Sequence, residues 1–351
     1  MAIDENKLQE LIGRLFGDIG AAMGSALVLL GDKFGFYKAL AAAGPMTPAE
    51  LAAKTGTVER YVREWAAAQA AAGYINYDAA SGRFSMSPEQ ALVLADENGP
   101  AFFPAMYEIV AATIRDEPKV ANAFRNGGGV GWHEHAPCLF SGTERFFRPS
   151  YAMHLVSEWI PALDGVREKL ERGARVADVG CGHGASVILM AKAFPKSRFF
   201  GFDYHQPSID RARELARDAG VADRVSFERA SAKDYPGTFD LVAFFDCLHD
   251  MGDPIGAAAH VKSTLAEDGT WMVVEPFGND RVEDNLNPIG RVFYAASTMI
   301  CVPASLSQEV GLGVGAQAGE ARLREVLAAG GFSRVRRAAA TPFNLVLEAR
   351  P

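Results

Sequence analysis

The chain has 351 residues, 49% of them apolar, enough for roughly two domains of about 150 residues with full-sized cores, and this composition excludes intrinsic disorder. Lys+Arg 35 against Asp+Glu 43 gives a net charge of −8, which argues against the broad basic surface of a dedicated nucleic-acid binder. Cys138, Cys181, Cys247 and Cys301 form no C-x-x-C pair, so neither a structural zinc site nor a disulfide framework is expected, and a reducing cytoplasm is the expected compartment.

The first seven residues are acidic where a secretory signal would be basic, and the uncharged run Ile19 to Gly31 is too short to span a bilayer. A second uncharged run, Val292 to Gln308, nears spanning length but is polar and broken by Pro303, so no membrane partner is expected. In the first part of the chain, Thr47-Pro48-Ala49-Glu50 reads as a capping box opening a helix that stops at Gly56, with Thr57 placed to cap the next. That next helix carries Val58, Tyr61, Val62, Trp65, Ala68, Gln69 and Ala72 at three-and-four spacing and ends at Gly73. The segments Tyr74 to Tyr77 and Arg83 to Met86 then flank Asp78 to Gly82 as a hairpin.

Helix, turn, helix and hairpin over 1–97 predict a winged helix. Its second helix sets only Arg60 and Arg63 against Glu59 and Glu64, and residues 1–100 hold 8 basic and 12 acidic side chains, so DNA contact gives way to dimerisation. The long apolar stretch Ile12 to Leu40 supplies more hydrophobic surface than so small a domain needs, which predicts a homodimer through this region. Residues 98–150 read as a helical connector lining a substrate pocket, with Gly127 to Gly129 as a flexible point and Trp132-His133-Glu134-His135 beyond it. His133 and His135 would point the same way on an extended chain, but no third ligand is identifiable; they are expected to be solvated or hydrogen-bonded, with no metal.

From residue 151 the pattern alternates strand and helix. Arg175 to Val179 leads into Gly180-Cys181-Gly182-His183-Gly184 and a helix from Ala185 to Phe194, where glycines let the backbone turn tightly and approach a ligand. Gly180, Gly182 and Ala185 also satisfy the loose dinucleotide fingerprint, which keeps a nicotinamide-dependent oxidoreductase open. Asp178, two residues before the first glycine, would repel a pyrophosphate but suits a ligand bearing an ammonium and a sulfonium, which points to S-adenosylmethionine. A second strand, Ser197 to Phe202, ends in Asp203, whose carboxylate can accept two ribose hydroxyls of either ligand, with Tyr204 beside it in the cofactor set. A third, Arg224 to Glu228, leads to the loop Ala230 to Tyr235, where adenine can lie. Phe239 to Asp246, Thr270 to Glu275, a helix from Glu320 to Ala329 and a closing pair, Phe332 to Arg337 with Phe343 to Ala349, complete an α/β sheet ending in an antiparallel hairpin.

The stretch Asp178-Val-Gly-Cys-Gly-His-Gly184, the acidic strand end Asp203, the segment Phe239-Asp-Leu-Val242 and the closing hairpin together resemble the class I S-adenosylmethionine-dependent methyltransferases over about residues 150–351. With the winged helix, the whole chain resembles bacterial small-molecule methyltransferases with an N-terminal dimerisation domain. The resemblance implies a Rossmann-like seven-stranded sheet, parallel with one antiparallel strand, and S-adenosylmethionine as cofactor with S-adenosylhomocysteine as product. Ser231 stands where this family often has an acid, so backbone at Ala232 or Lys233 is expected to meet the adenine. Cys247-Leu248-His249-Asp250-Met251 is similar to the leucine-histidine-aspartate segment of winged-helix O-methyltransferases, whose histidine deprotonates a hydroxyl.

His249 is thus the expected general base, largely neutral at an unperturbed pKa of about 6.5, and Glu275 the carboxylate orienting it. Asp246 is expected either to contact the methionine portion of the cofactor or to cap the following helix. Residues 276–319 read as a lid with Asn285, Asn287, Arg291 and Tyr294. Phe293, Met299, Ile300 and Leu306 of this lid, with Phe146 and Phe147, would offer a pocket to an aromatic or apolar acceptor. The expected function is methyl transfer to a small molecule, at a hydroxyl. Alternatives are a non-methylating enzyme using the same cofactor, a nicotinamide oxidoreductase, and a DNA-binding regulator sensing a nucleotide-like ligand.

Overall fold

In the computed structural model, which describes residues 3–99 and 101–351, the chain divides into two compact units. One comprises 1–112 and 138–149, the other 113–137 and 150–351. In the first, Asp4 caps a 29-residue helix, Glu5–Lys33, by accepting from the backbone N–H of Asn6 and Lys7. Thr47 and Glu50 form the expected capping box on the helix Pro48–Thr55, and Gly56 ends it in the left-handed region. Thr57 does not cap the next helix, Glu59–Ala71; its hydroxyl lies 2.9 Å from that of Thr55, and Val58 takes the N-cap position without a side-chain bond.

The buried face of Glu59–Ala71 is Val62, Trp65, Ala66 and Gln69, while Val58 and Tyr61 are exposed, so the apolar stripe is narrower than the sequence pattern suggests. Polar tips in this core are partnered: Tyr37 donates to Gln69 Oε1 at 2.5 Å and Trp65 Nε1 to the Leu27 carbonyl at 2.9 Å. Strands β1 (Asn76–Asp78) and β2 (Arg83–Ser85) pair antiparallel as the wing. The helix Glu5–Lys33 exposes Leu11, Leu15, Phe16, Ile19 and Met23. By length and composition alone, this helix and the segment Pro288–Leu306 are each apolar enough to cross a membrane, a test that core helices of soluble proteins also pass.

The second unit is built on one sheet of β3 (Arg175–Val179), β4 (Arg198–Asp203), β5 (Val225–Arg229), β6 (Phe239–Phe245), β7 (Leu265–Pro276), β8 (Arg334–Ala340) and β9 (Asn344–Arg350). Their order is β5-β4-β3-β6-β7-β9-β8, parallel from β5 to β7, with β9 antiparallel to both neighbours. This is the seven-stranded arrangement expected from the sequence. Strand order reverses between β3 and β6, and at such a switch point open α/β sheets place their ligand crevice, at the carboxyl ends of the central strands. Helices on the faces of the sheet leave β6 and the part of β7 from residue 269 onward buried almost throughout, which explains their continuous apolar runs.

The insertion is more ordered than its glycine and serine content suggests. Pro288–Ala296, a π-helical turn at Ser297–Cys301 and Val302–Leu306 run on without a break through Pro303. The widened turn, in which Val302 N–H reaches the Ser297 carbonyl, makes room for a proline that would otherwise collide with the preceding turn.

Candidate active site at the strand tips

β3 runs into Gly180, Gly182 and Gly184, with φ of 75°, 51° and 78°. The three glycines serve different ends. A Cβ on Gly182 would meet nothing within 4 Å, so its face is open. On Gly180 it would lie 2.8 Å from Cys247 Sγ, and on Gly184 2.5 Å from the Phe227 ring, so these two serve close packing. Gly184→Ala is accordingly expected to cost about 2–5 kcal/mol, combining left-handed strain of about 1–2 kcal/mol with overpacking of about 1–3 kcal/mol. Urea unfolding checks this; an unchanged midpoint would mean that Phe227 simply yields.

Buried carboxylates gather around the turn. Asp178, at the end of β3, accepts from Ser186 Oγ through one oxygen, while Oδ1 has no hydrogen-bond partner among the described residues. Burial pushes its pKa up to about 7 against the Ser186 bond. Asp203 accepts from Gly182 N–H at 2.9 Å and from His205 N–H at 2.8 Å, and burial still raises its pKa. Asp246, just past β6, takes a φ of 51°, uncommon for a residue with a Cβ. Its carboxylate accepts from Tyr151 Oη at 2.7 Å and Asn344 Nδ2 at 3.0 Å, and burial, with Glu275 nearby, pushes its pKa up to about 7. Asp246 is therefore not a helix cap; Asp253 caps the following helix through Gly256 N–H at 2.7 Å.

His249 lies buried on a short turn after β6. Its Nδ1 is 2.5 Å from Glu275 Oε2, and Glu275 Oε1 accepts from Leu248 N–H at 2.9 Å. Its Nε2 is 3.1 Å from Asp250 Oδ1, and Asp250 Oδ2 accepts from Trp132 Nε1 at 2.8 Å. Burial alone would lower the pKa of this imidazole, but the carboxylates of Asp250 and Glu275 more than reverse it and hold the pKa well above 6.5. The sequence reading of a mostly neutral imidazole is thus corrected: two acids, not one, face the ring. Cys301, also within reach, has its thiol pushed up to about 12 by burial and by Asp250.

Around this centre, His135 Nδ1 is 2.9 Å from Asp116 Oδ2, whereas His133 is exposed and its ring lies 6.4 Å from that of Tyr204. In the loop after β5, Ser231 N–H donates to Asp234 Oδ1 at 2.7 Å and Lys233 N–H to Ser231 Oγ at 3.1 Å, so the Lys233 backbone donor is already engaged. Lys233 Nζ reaches Asp253, and Ala232 is partly buried against the sheet core. From the sequence Asp250 is marked only as part of the leucine-histidine-aspartate segment and Trp132 only as part of the connector, while Tyr151, Asn344 and Cys301 are given no place at the site because they arrive from far along the chain.

The strand tips thus hold Asp178, Asp203, Asp246 and Glu275, all buried or nearly so, with three of the four acids raised in pKa. A cation placed there would relieve mutual repulsion, and a diphosphate would add to it. The open Gly182 face, the orphaned Asp178 oxygen and this negative field fit a ligand with a positively charged sulfur.

Residues 170–313 match the family model of a methyltransferase domain, and residues 22–96 that of the Rv2258c-like winged HTH domain. The 27-O-demethylrifamycin SV methyltransferase of Amycolatopsis mediterranei is 32% identical over 152 residues, 41% of this chain and 55% of that protein. The chain spans only 6%, 24% and 55% of the length of three curated relatives that it matches, this one among them. Among solved structures, the mitomycin 7-O-methyltransferase MmcR superposes with a TM-score of 0.72 at 20% identity, covering 99% of this chain and 100% of that one. Human N-acetylserotonin methyltransferase in complex with SAM does so at 0.67 and 17%, covering 97% of each chain. At such identities the likeness shows the fold. Residues 170–313 thus match a methyltransferase domain and residues 22–96 an Rv2258c-like winged helix, and the chain shares its fold with solved methyltransferases.

Proposed function

We propose that the protein moves a methyl group from S-adenosylmethionine to a hydroxyl of a small molecule, leaving S-adenosylhomocysteine, with His249 as the general base. The observation that carries this reading is the buried Glu275–His249 pair beside an acidic, glycine-lined crevice. Bound there, S-adenosylmethionine supplies an electrophilic methyl group on a sulfonium. The turn at Gly180, Gly182 and Gly184, Asp203, Tyr204 and the Ala232–Lys233 loop would hold its nucleoside part, and Asp178 and Asp246 its methionine part. Glu275 fixes the imidazole through Nδ1, so that Nε2 takes the acceptor's proton once the ring is neutral. The names of the rifamycin and mitomycin enzymes, which specify oxygen, support a hydroxyl acceptor.

The exposed stripe Leu11, Leu15, Phe16, Ile19 and Met23 supports a homodimer formed through the first unit; the net charge of −8 supports a small-molecule partner over nucleic acid, and the scattered cysteines support the cytoplasm. Thermal unfolding with added ligand tests the cofactor: S-adenosylhomocysteine at about 100 times its Kd is expected to add about 2.7 kcal/mol, and NADH or duplex DNA nothing. Affinity for S-adenosylmethionine should rise with pH through about 7, as Asp178 and Asp246 ionise. S-adenosylhomocysteine, which lacks the sulfonium charge, should respond less. Stabilisation by NADH instead would replace this reading with a dehydrogenase. Labelled methyl donor incubated with fractionated extract, followed by mass spectrometry, identifies the acceptor, and a bound cofactor with no labelled product would mean non-methylating chemistry.

A further inference from the structure

We propose that His249 Nε2, Asp250 Oδ1 and Cys301 Sγ form a site for one thiophilic divalent cation, zinc above all, whose binding takes the lone pair that His249 needs as a base. The three ligand atoms lie within 4.8 Å of one another and all three residues are buried. Bonds of about 2.0–2.3 Å put the ligands of a tetrahedral zinc about 3.3–3.8 Å apart. The Nε2 and Oδ1 atoms, 3.1 Å apart, are nearly there, and the thiol has about 1 Å at most to close.

Two features suit a metal here. Asp250 Oδ1 is buried and faces His249 Nε2 at 3.1 Å, so the two groups already turn donor atoms toward one point. The outer groups are also those that order metal ligands: Glu275 holds the far nitrogen of His249, and the Trp132 indole N–H holds the far oxygen of Asp250. A sulfur, nitrogen and oxygen donor set favours zinc over magnesium or calcium, which prefer all-oxygen sites.

Cys301 sits on the widened turn Ser297–Cys301, so its position depends on a local departure from regular helix of a kind that recurs at functional sites. On binding, the S–H bond of Cys301 breaks and its electron pair goes to the metal. That proton, and any proton on Nε2, passes to the buffer, and no electrons are transferred. Thiolate and carboxylate then balance the dication, which is why a buried site can hold it. Only the effect on turnover rests on the proposed role of His249; the binding does not.

The test is titration of the full chain with Co²⁺ as a spectroscopic probe, then with Zn²⁺ to displace it. One equivalent is expected, with a thiolate-to-cobalt absorption band and proton release. Cys301→Ser should abolish the band and weaken binding by more than about tenfold, and Cys138→Ser should leave both unchanged. Asp250→Asn, nearly isosteric, should also weaken binding and serves if the cysteine variant does not fold. Zn²⁺ should inhibit methyl transfer reversibly in the wild type, with recovery on adding a chelator. Absence of the band at stoichiometric metal, or its persistence in Cys301→Ser, overturns the site. A band with undiminished turnover keeps the site and removes His249 as the base.

Discussion

Replacing His249 by alanine is expected to lower kcat on a hydroxyl acceptor by about 10²–10⁴-fold, the usual contribution of a positioned base. Affinity for S-adenosylhomocysteine should stay within a few-fold, because the Gly182 and Asp203 contacts lie on the other side of β3 from the imidazole's turn. The pH profile adds a sign. Asp250 and Glu275 raise the imidazole's pKa above 6.5, so the wild type should gain activity as pH climbs through that elevated value, where the ring loses its proton. Glu275→Gln removes one of the two charges that hold the proton and should move this limb to lower pH. Steady-state kinetics across pH measures both. An unchanged kcat in His249→Ala would leave proximity, or a nitrogen or sulfur nucleophile, as the account of turnover.

Asp203→Ala should act on the opposite parameter and weaken S-adenosylhomocysteine by about 100-fold, as the loss of charge-assisted hydrogen bonds worth about 1.5–3 kcal/mol each implies. Turnover at saturating donor should change little. The carboxylate also ties down Gly182 and His205 N–H groups, so part of the loss passes through the shape of the turn. Asp203→Asn separates the two contributions, since the amide keeps one acceptor oxygen while losing the charge. Calorimetry on both variants decides; an unaltered Kd in Asp203→Ala would leave this residue a structural knot and no more.

Strands β3, β4, β6 and β7 were legible because each holds a short apolar run closed by an acid or a glycine, whereas the switch point lies in their spatial order, which the sequence does not print. The glycine turn, Asp178, Asp203, His249 and Glu275 were legible because they lie at strand ends, where the periodicity stops. What was not legible has physical causes. Thr57 satisfies capping statistics but is turned toward Thr55. Pro303 looked like a breaker because a sequence pattern carries no sign of a π-turn that accommodates it. The protonation of His249 depended on Asp250, whose side chain curls back to Nε2 instead of pointing away as a solvated neighbour would. Long-range partners such as Tyr151 and Asn344 on Asp246 have no local signature at all.

The place of β9 has a consequence for biogenesis. It slots between β7 and β8, both made before it, and it carries the asparagine that grips Asp246. While residues 344–350 are still inside the ribosome, β7 presents a bare edge of unpaired amides and carbonyls, open to wrong partners. The crevice is therefore completed only once β9 has been made, and a nascent chain that stalls short of this strand is a ligand for chaperones.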